Sequence, residues 1–338
     1  MKILHVGIGL SHHVGSFFDR ALTQLEIPHL FVDEWRYFGG LSRSVAQKIW
    51  RRIFSRPIQY QKFNNDLLKI AIDYCPDVIL ITQGLYISPK TIIKIKNTQK
   101  SIFINYATDD PFNNQISTSD LLSCIPLYDL YACTKRRIME DVEKSGCKNV
   151  AYVPFGYDPS VHFPQSLNGD SDIKRFSSDI IFIGGADMDR IPIMQSLIQD
   201  PSINLHLYGI YWKRIKELRK HYHGFAYNDV FRKAHSGTKI GLCLVRRANR
   251  DGHAMRTFEI PACGTFMLAE KTEEHQELFL EDKEAVFFSD VGELKDKFYF
   301  YKDHVMERKK IAEAGRCKIR RGKYTYRDRL IEILKKVN

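Results

Sequence analysis

The chain has 338 residues, of which 44% are hydrophobic and 27% charged, and its formal net charge is +11. That length predicts two domains at roughly 100–200 residues each, and the composition is ordinary for a soluble globular protein. No apolar run reaches the roughly 18 residues of a membrane-spanning helix, and seven scattered cysteines without a C-x-x-C pair exclude a disulfide framework, so a reducing cytoplasm is the expected compartment.

The first residues, Lys2 to Ile8, predict a buried strand running into a glycine loop rather than a signal peptide. Ser11 to Leu25 predicts a helix, because Val14, Phe17, Phe18, Ala21, Leu22 and Leu25 recur at helical spacing. A strand at 28–33 and a long basic helical region to about Tyr74 follow. Further strands are expected at 77–82, 101–106, 130–133 and 149–153, with helices opened by Ser88-Pro89 and by Lys135. Continuous apolar strands alternating with helices imply a parallel sheet covered on both faces.

Pro154 to Ser178, rich in Pro, Gly, Ser and Asp, predicts a linker. A second α/β unit then starts at Asp179, with strands near 203–208, 239–244, 265–268 and 284–288. The final helical region, Glu293 to Asn338, is expected to break near Gly315 and Gly322. The expected boundaries are an N-terminal domain at 1–155, a linker at 156–178, a second domain at 179–315, and a C-terminal helix at 316–338 that packs back on the first domain. A cleft between two such domains is the default active site.

Gly184 and Gly185 stand where the first strand of the second unit ends, and Gly209 where the next one does. Adjacent glycines let a ligand approach backbone amides, and a helix starting at Asp189 or Arg190 offers its N-terminus to phosphate. A tight strand-to-helix turn would use the same residues, and this is not the full G-x-G-x-x-G pattern. Lys213 and Arg214 follow Gly209, either facing a diphosphate or starting a solvated helix. The polar loop Arg246 to Arg256 leads into a short helix in which Arg256 and Glu259, three residues apart, share one face. An arginine fork holds phosphate and a carboxylate accepts ribose hydroxyls, while the plain alternative is a structural ion pair. In the first unit Gly9, His12 and His13 leave the first strand, and Asp109 and Asp110 leave the strand at 101–106. Asp109 and His12 are the candidates there for proton transfer or sugar contact. No metal site is expected: His221 and His223 have no nearby carboxylate, and Asp109-Asp110 lacks D-x-D spacing.

The stretch Arg256-Thr257-Phe258-Glu259-Ile260-Pro261-Ala262-Cys263-Gly264 resembles the CgeB-like (spore maturation protein) glycosyltransferases and the donor signature of the wider retaining family 4. Phe182-Ile183-Gly184, Tyr208-Gly209, Tyr227–Ala234, Glu284 to Phe288 and the interdomain segment Pro154-Phe155-Gly156-Tyr157-Asp158-Pro159, ending with His162 and Phe163, fit the same family, over about 150–335. The resemblance implies a GT-B-like α/β fold, two Rossmann-like parallel-sheet domains facing across a cleft. It implies that Glu259 holds the donor ribose, that Asp251, eight residues earlier, approaches the transferred sugar, and that Gly264 belongs to the donor turn. Here Asp251 replaces the usual Glu, and Gly252-His253-Ala254-Met255 replaces Gly-Phe-Gly. Arg256 is the preferred diphosphate contact, with Arg190 and Arg214 near the expected positions.

The expected activity is metal-independent, retaining transfer of a hexosyl-type group from a nucleoside diphosphate sugar, a UDP- or GDP-sugar, to an acceptor hydroxyl. No tightly bound cofactor is expected. The acceptor is open between saccharide, lipid-linked and protein classes. Basic residues 43–62, interleaved with Val45, Ile49, Trp50, Ile53 and Phe54, either rest peripherally on an anionic membrane at its inner face or pack on their domain. A non-catalytic nucleotide or sugar binder and a nucleic-acid-modifying glycosyltransferase are the alternatives. Nucleic acid is not the expected partner, since no recognition module is present.

Overall fold

The computed structural model describes residues 1–39 and 56–337. Most of the basic stretch 43–62 therefore lies outside the described residues. The chain divides into two compact units.

The first unit comprises Met1–Pro154, Ala248–Arg250 and Tyr326–Asn338. Its elements are β1 (Ile3–Gly7), α1 (Val14–Gln24), β2 (His29–Asp33), α2 (Trp35–Phe38), α3 (Tyr60–Tyr74), β3 (Val78–Thr82), α4 (Pro89–Thr98), β4 (Ile102–Ala107), α5 (Ser119–Cys124), β5 (Leu130–Cys133), α6 (Met139–Lys144) and β6 (Val150–Tyr152). The six strands form one sheet in the order β2-β1-β3-β4-β5-β6, every pair parallel. Every residue of β1, β3 and β5 is buried, which is why those strands read as unbroken apolar runs. The apolar stripe of α1 places Phe17 and Phe18 against Tyr326, so the end of the chain completes this core.

The second unit comprises Phe155–Arg247 and Asp251–Thr325. It contains α7 (Gly169–Phe176), β7 (Ser178–Ile183), α8 (Arg190–Leu197), β8 (Leu205–Tyr208), α9 (Asn228–Gly237), β9 (Thr238–Cys243), α10 (Arg256–Ala262), β10 (Met267–Glu270), α11 (Glu273–Leu278), β11 (Val286–Phe288), α12 (Val291–Asp303) and α13 (Val305–Arg321). The sheet order is β11-β10-β9-β7-β8, again all parallel. A last helix, α14 (Tyr326–Leu334), belongs to the first unit.

Two local expectations differ from the structure. Residues 169–176, inside the expected linker, form α7, which docks on α9 through the Lys233–Asp172 ion pair at 2.9 Å. Gly315 does not break the terminal helix. A side chain there would lie 2.4 Å from the Glu284 carbonyl oxygen, so the glycine lets α13 pass close to that backbone, and the break falls at His304 instead. No helix among the described residues is long and apolar enough to cross a membrane.

Candidate functional site

In open parallel sheets ligands bind beyond the carboxyl ends of the strands, where the strand order reverses. In the second unit that point lies between β7 and β9. β7 runs out into Gly184-Gly185 and β8 into Gly209. Gly209 has φ +127°, and a Cβ on it would lie 2.3 Å from the Gly184 carbonyl oxygen, so no other residue fits there. The Gly184 amide donates to Tyr208 O at 2.9 Å and the Gly209 amide to Gly224 O at 2.9 Å, while Gly185 N–H makes no hydrogen bond among the described residues. These three glycines floor a pocket of about 190 Å³. Its walls are Ile210, Phe225, Ala226, Tyr227 and Arg256. Phe225 and Tyr227 are well exposed and stack at 5.7 Å with an 18° interplanar angle, presenting flat apolar surface to a ligand.

Arg256 starts α10 and reaches the mouth of β7, where Nε donates to Ile183 O at 2.9 Å. Its Nη1 donates to Glu259 Oε2. Glu259 is only 1% exposed and does not line the pocket. Its second oxygen lies 3.3 Å from His162 Nε2. Because His162 Nδ1 accepts the Asp158 amide at 3.1 Å, its proton is on Nε2 and faces the carboxylate. Burial lowers the His162 pKa, and the Glu259 charge opposes the fall. A buried carboxylate is stable only when paired, and here Arg256 and His162 pair it. The structure thus puts the guanidinium, not the carboxylate, at the pocket wall.

Other expected donor residues lie elsewhere. Arg190 is buried, and its guanidinium donates to Gly185 O at 3.3 Å and Leu244 O at 3.2 Å and pairs with Asp187 at 3.3 Å. It braces the glycine turn from beneath. Arg214 lies 4.7 Å from the Tyr211 ring and does not line the pocket. Gly264 ends α10 near the start of β10 and borders a different cavity. Asp251 Oδ2 accepts the Arg246 amide at 3.2 Å, closing its own loop. His253, in the altered Gly-Phe-Gly segment, is wholly buried; Nε2 accepts the Phe155 amide at 3.0 Å and Nδ1 lies 2.5 Å from Glu274 Oε2.

In the first unit the sheet reverses between β1 and β3. The Gly9 amide donates to Asp33 Oδ1 at 2.7 Å, which fixes the loop after β1. Gln83 Oε1 accepts from Thr108 N, Thr108 Oγ1 and Asp109 N, each at 2.9 Å, and so shapes the turn after β4. Asp109 Oδ1 accepts from Asn249 Nδ2 at 2.8 Å, while Asn249 Oδ1 accepts the Asp110 amide at 3.0 Å. Arg250 then holds Asp110 through two bonds, Nε–Oδ2 at 2.6 Å and Nη2–Oδ1 at 3.0 Å, and reaches Asp141 at 2.5 Å. His12 and Asp109 both act electrostatically on His13, whose pKa burial lowers to about 4, the His12 charge adding to the fall and Asp109 opposing it. His13 Nδ1 is buried without a hydrogen-bond partner among the described residues. Asn249 does not stand out in the sequence, because it is one polar residue in a polar loop, and neither does Phe225, which lies just outside the Tyr227–Ala234 segment; His162 and Tyr227 lie in segments that carry the family resemblance, but the sequence assigns neither a place at the pocket.

Residues 190–335 match the model of a glycosyl transferase-like family. No curated protein matches the chain. Among solved structures, sucrose-phosphate synthase from Thermosynechococcus elongatus superposes with a TM-score of 0.70 at 10% identity, covering 99% of this chain and 98% of that one. Anabaena HepE in complex with UDP-glucose gives 0.66 at 12% identity, with 100% and 99% coverage. A glycosyltransferase from Rickettsia africae gives 0.65 at 11% identity, with 99% and 97% coverage. The chain has the GT-B fold.

Proposed function

We propose that this chain is a glycosyltransferase that moves a hexosyl-type group from a nucleoside diphosphate sugar to an acceptor hydroxyl, without a metal and with retention at the anomeric carbon. One observation carries the proposal. Arg256, within a segment matching a glycosyl transferase-like family, stands at the wall of a pocket floored by Gly184, Gly185 and Gly209, beyond the carboxyl ends of β7 and β8 in a parallel sheet.

The pocket suits a nucleotide in parts. A base lies flat against the exposed Phe225 and Tyr227 rings, and the diphosphate lies near the Gly185 amide and Arg256. As the anomeric carbon–oxygen bond breaks, charge grows on the leaving diphosphate, and a fixed guanidinium stabilises it most at that moment. Glu259 and His162 hold that guanidinium in place; for Glu259 to hold the ribose as well, its carboxylate would share Arg256 with the ligand. Asp251 is assigned to the transferred sugar, and Asp109 and His12 to the acceptor. The acceptor oxygen bonds to the anomeric carbon on the face the diphosphate leaves, and its proton passes to a diphosphate oxygen or a carboxylate. An association of residues 43–62 with an anionic membrane surface belongs to the same proposal.

HepE was crystallised with UDP-glucose, which makes that donor the first to test. Calorimetric titration with UDP-glucose and GDP-mannose should show saturable binding, and Arg256→Ala should weaken it about tenfold or more, as for loss of a charge-assisted contact. Nucleotide release from the bound sugar separates an enzyme from a binder. Absence of binding to both nucleotides and nucleotide sugars, in the folded chain, overturns the proposal.

A further inference from the structure

A second cavity, of about 370 Å³, lies in the second unit at the opposite edge of its sheet from the glycine pocket. It opens where β9 begins, at Thr238, and beside the Cys263–Phe266 turn that leads into β10. A six-residue strand separates the two edges by roughly 20 Å. The cavity has more room than an isolated ion needs.

The outer wall is one face of α13, which contributes Arg308, Lys309, Glu313 and Arg316, and Lys239 faces them from β9. The spacing of those helical positions puts them on a single side. Arg308 Nη1 donates to the carbonyls of Tyr301 and Lys302. Arg316 pairs with Glu313 at 3.5 Å through Nη1, while its Nε is buried and has no hydrogen-bond partner among the described residues. Lys239 pairs with Asp179 at 2.8 Å. Lys309 is exposed and forms no ion pair among the described residues. Four cations therefore meet two carboxylates, and one guanidinium nitrogen lacks an acceptor. Gly264 borders the cavity opposite Arg316, where a Cβ would stand 3.6 Å from Arg316 Cδ, so the absence of a side chain leaves the room open.

We propose that this cavity binds a phosphate monoester through Arg316, Arg308, Lys309 and Lys239. A dianionic phosphate supplies negative charge to a face where four cations meet two carboxylates, and guanidinium N–H groups suit its oxygens. The volume leaves space for the ester's organic part. A free metabolite and a lipid headgroup share this chemistry.

Calorimetric titration of the full chain with inorganic phosphate and with glycerol 3-phosphate, at fixed ionic strength, tests the site. Binding should persist in Arg256→Gln, which removes the cation of the glycine pocket and leaves the α13 cations in place, and weaken about tenfold in the pair Arg308→Gln and Arg316→Gln. Should that pair fail to fold by circular dichroism, Lys239→Gln with Lys309→Gln, whose ammonium groups are more exposed, should weaken binding about threefold. Binding lost in Arg256→Gln but kept in the α13 or lysine variants places the anion at the glycines and overturns the proposal. So does the absence of phosphate binding beyond that of chloride. Flotation with phosphatidylcholine vesicles containing phosphatidic acid separates the sources: capture that glycerol 3-phosphate displaces, and that the same variants abolish, supports the site with a lipid as its ligand, whereas saturable glycerol 3-phosphate binding without capture supports a soluble one.

Discussion

Glu34 follows β2 with its carboxyl buried, and burial raises its pKa from 4.5 to about 8, the Asp33 charge adding to the effect. The folded state keeps this proton in a range where the unfolded chain releases it. The native state therefore binds more protons between about pH 4.5 and 8, and this group's contribution to stability falls as pH rises through that window, then levels off. The slope approaches 1.4 kcal/mol per pH unit for a single group. Glu34→Gln should remove that slope, and thermal melts at pH 6.5 and 8 would show the variant gaining most at the higher pH. Asn249 acts differently, through geometry alone. Its amide joins the Asp109 carboxylate to the Asp110 backbone, so Asn249→Ala leaves a buried N–H without an acceptor. The expected cost is roughly 1–3 kcal/mol in urea unfolding. A variant as stable as the parent would mean that water replaces the side chain.

At the scale of elements, the packing of α13 depends on Gly315. Gly315→Ala puts a methyl group 2.4 Å from the Glu284 carbonyl oxygen, and backbone cannot yield as a flexible side chain does. Despite alanine's better helix propensity, the change should destabilise the second unit by roughly 1–3 kcal/mol, measurable by chemical denaturation. The same glycine illustrates what the sequence does and does not carry. Helix-breaking is the ordinary expectation for a glycine in a polar helical stretch, and only the neighbouring backbone reveals that it serves a close approach. The strands were legible because burial on both faces favours runs of apolar side chains, such as Val78–Ile81 in β3 and Ile180–Ile183 in β7. Helix α7 was not, because its only buried side chain is Phe176 and its polar positions look like a linker until α9 lies beside them. That Arg256 and Glu259 share one helical face was legible from their spacing, while the choice between an ion pair and two ligand contacts was not. The participation of His162 was not, since nothing in a sequence brings together residues so far apart.

For the whole molecule, buried histidines set the acid limit. Burial lowers the pKa of His5 to about 3 and those of His206 and His275 to about 4, with neighbouring histidines adding to each fall. His13 behaves likewise. These groups are neutral when folded and charged when unfolded, so the unfolded state binds more protons below about pH 6.5. Stability then falls as pH decreases from 6.5 towards 4, and Glu34 offsets only one group's share of the fall. At about 1.4 kcal/mol per group and pH unit, four histidines remove several kcal/mol by pH 5, a large part of the roughly 5–15 kcal/mol typical of folded proteins. Melting temperatures should therefore drop steeply between pH 6.5 and 4.5, and a flat profile there would refute the account. By itself the sequence determined the two parallel sheets, the glycines at their strand ends and the placing of Arg256 and Glu259 on one helical face, because periodicity, backbone freedom and helical spacing are local properties. Tertiary structure alone decided that Glu259 is buried beneath Arg256, that Gly264 faces a second cavity and that Asn249 holds Asp109, because burial and charge pairing depend on what other parts of the chain bring within reach.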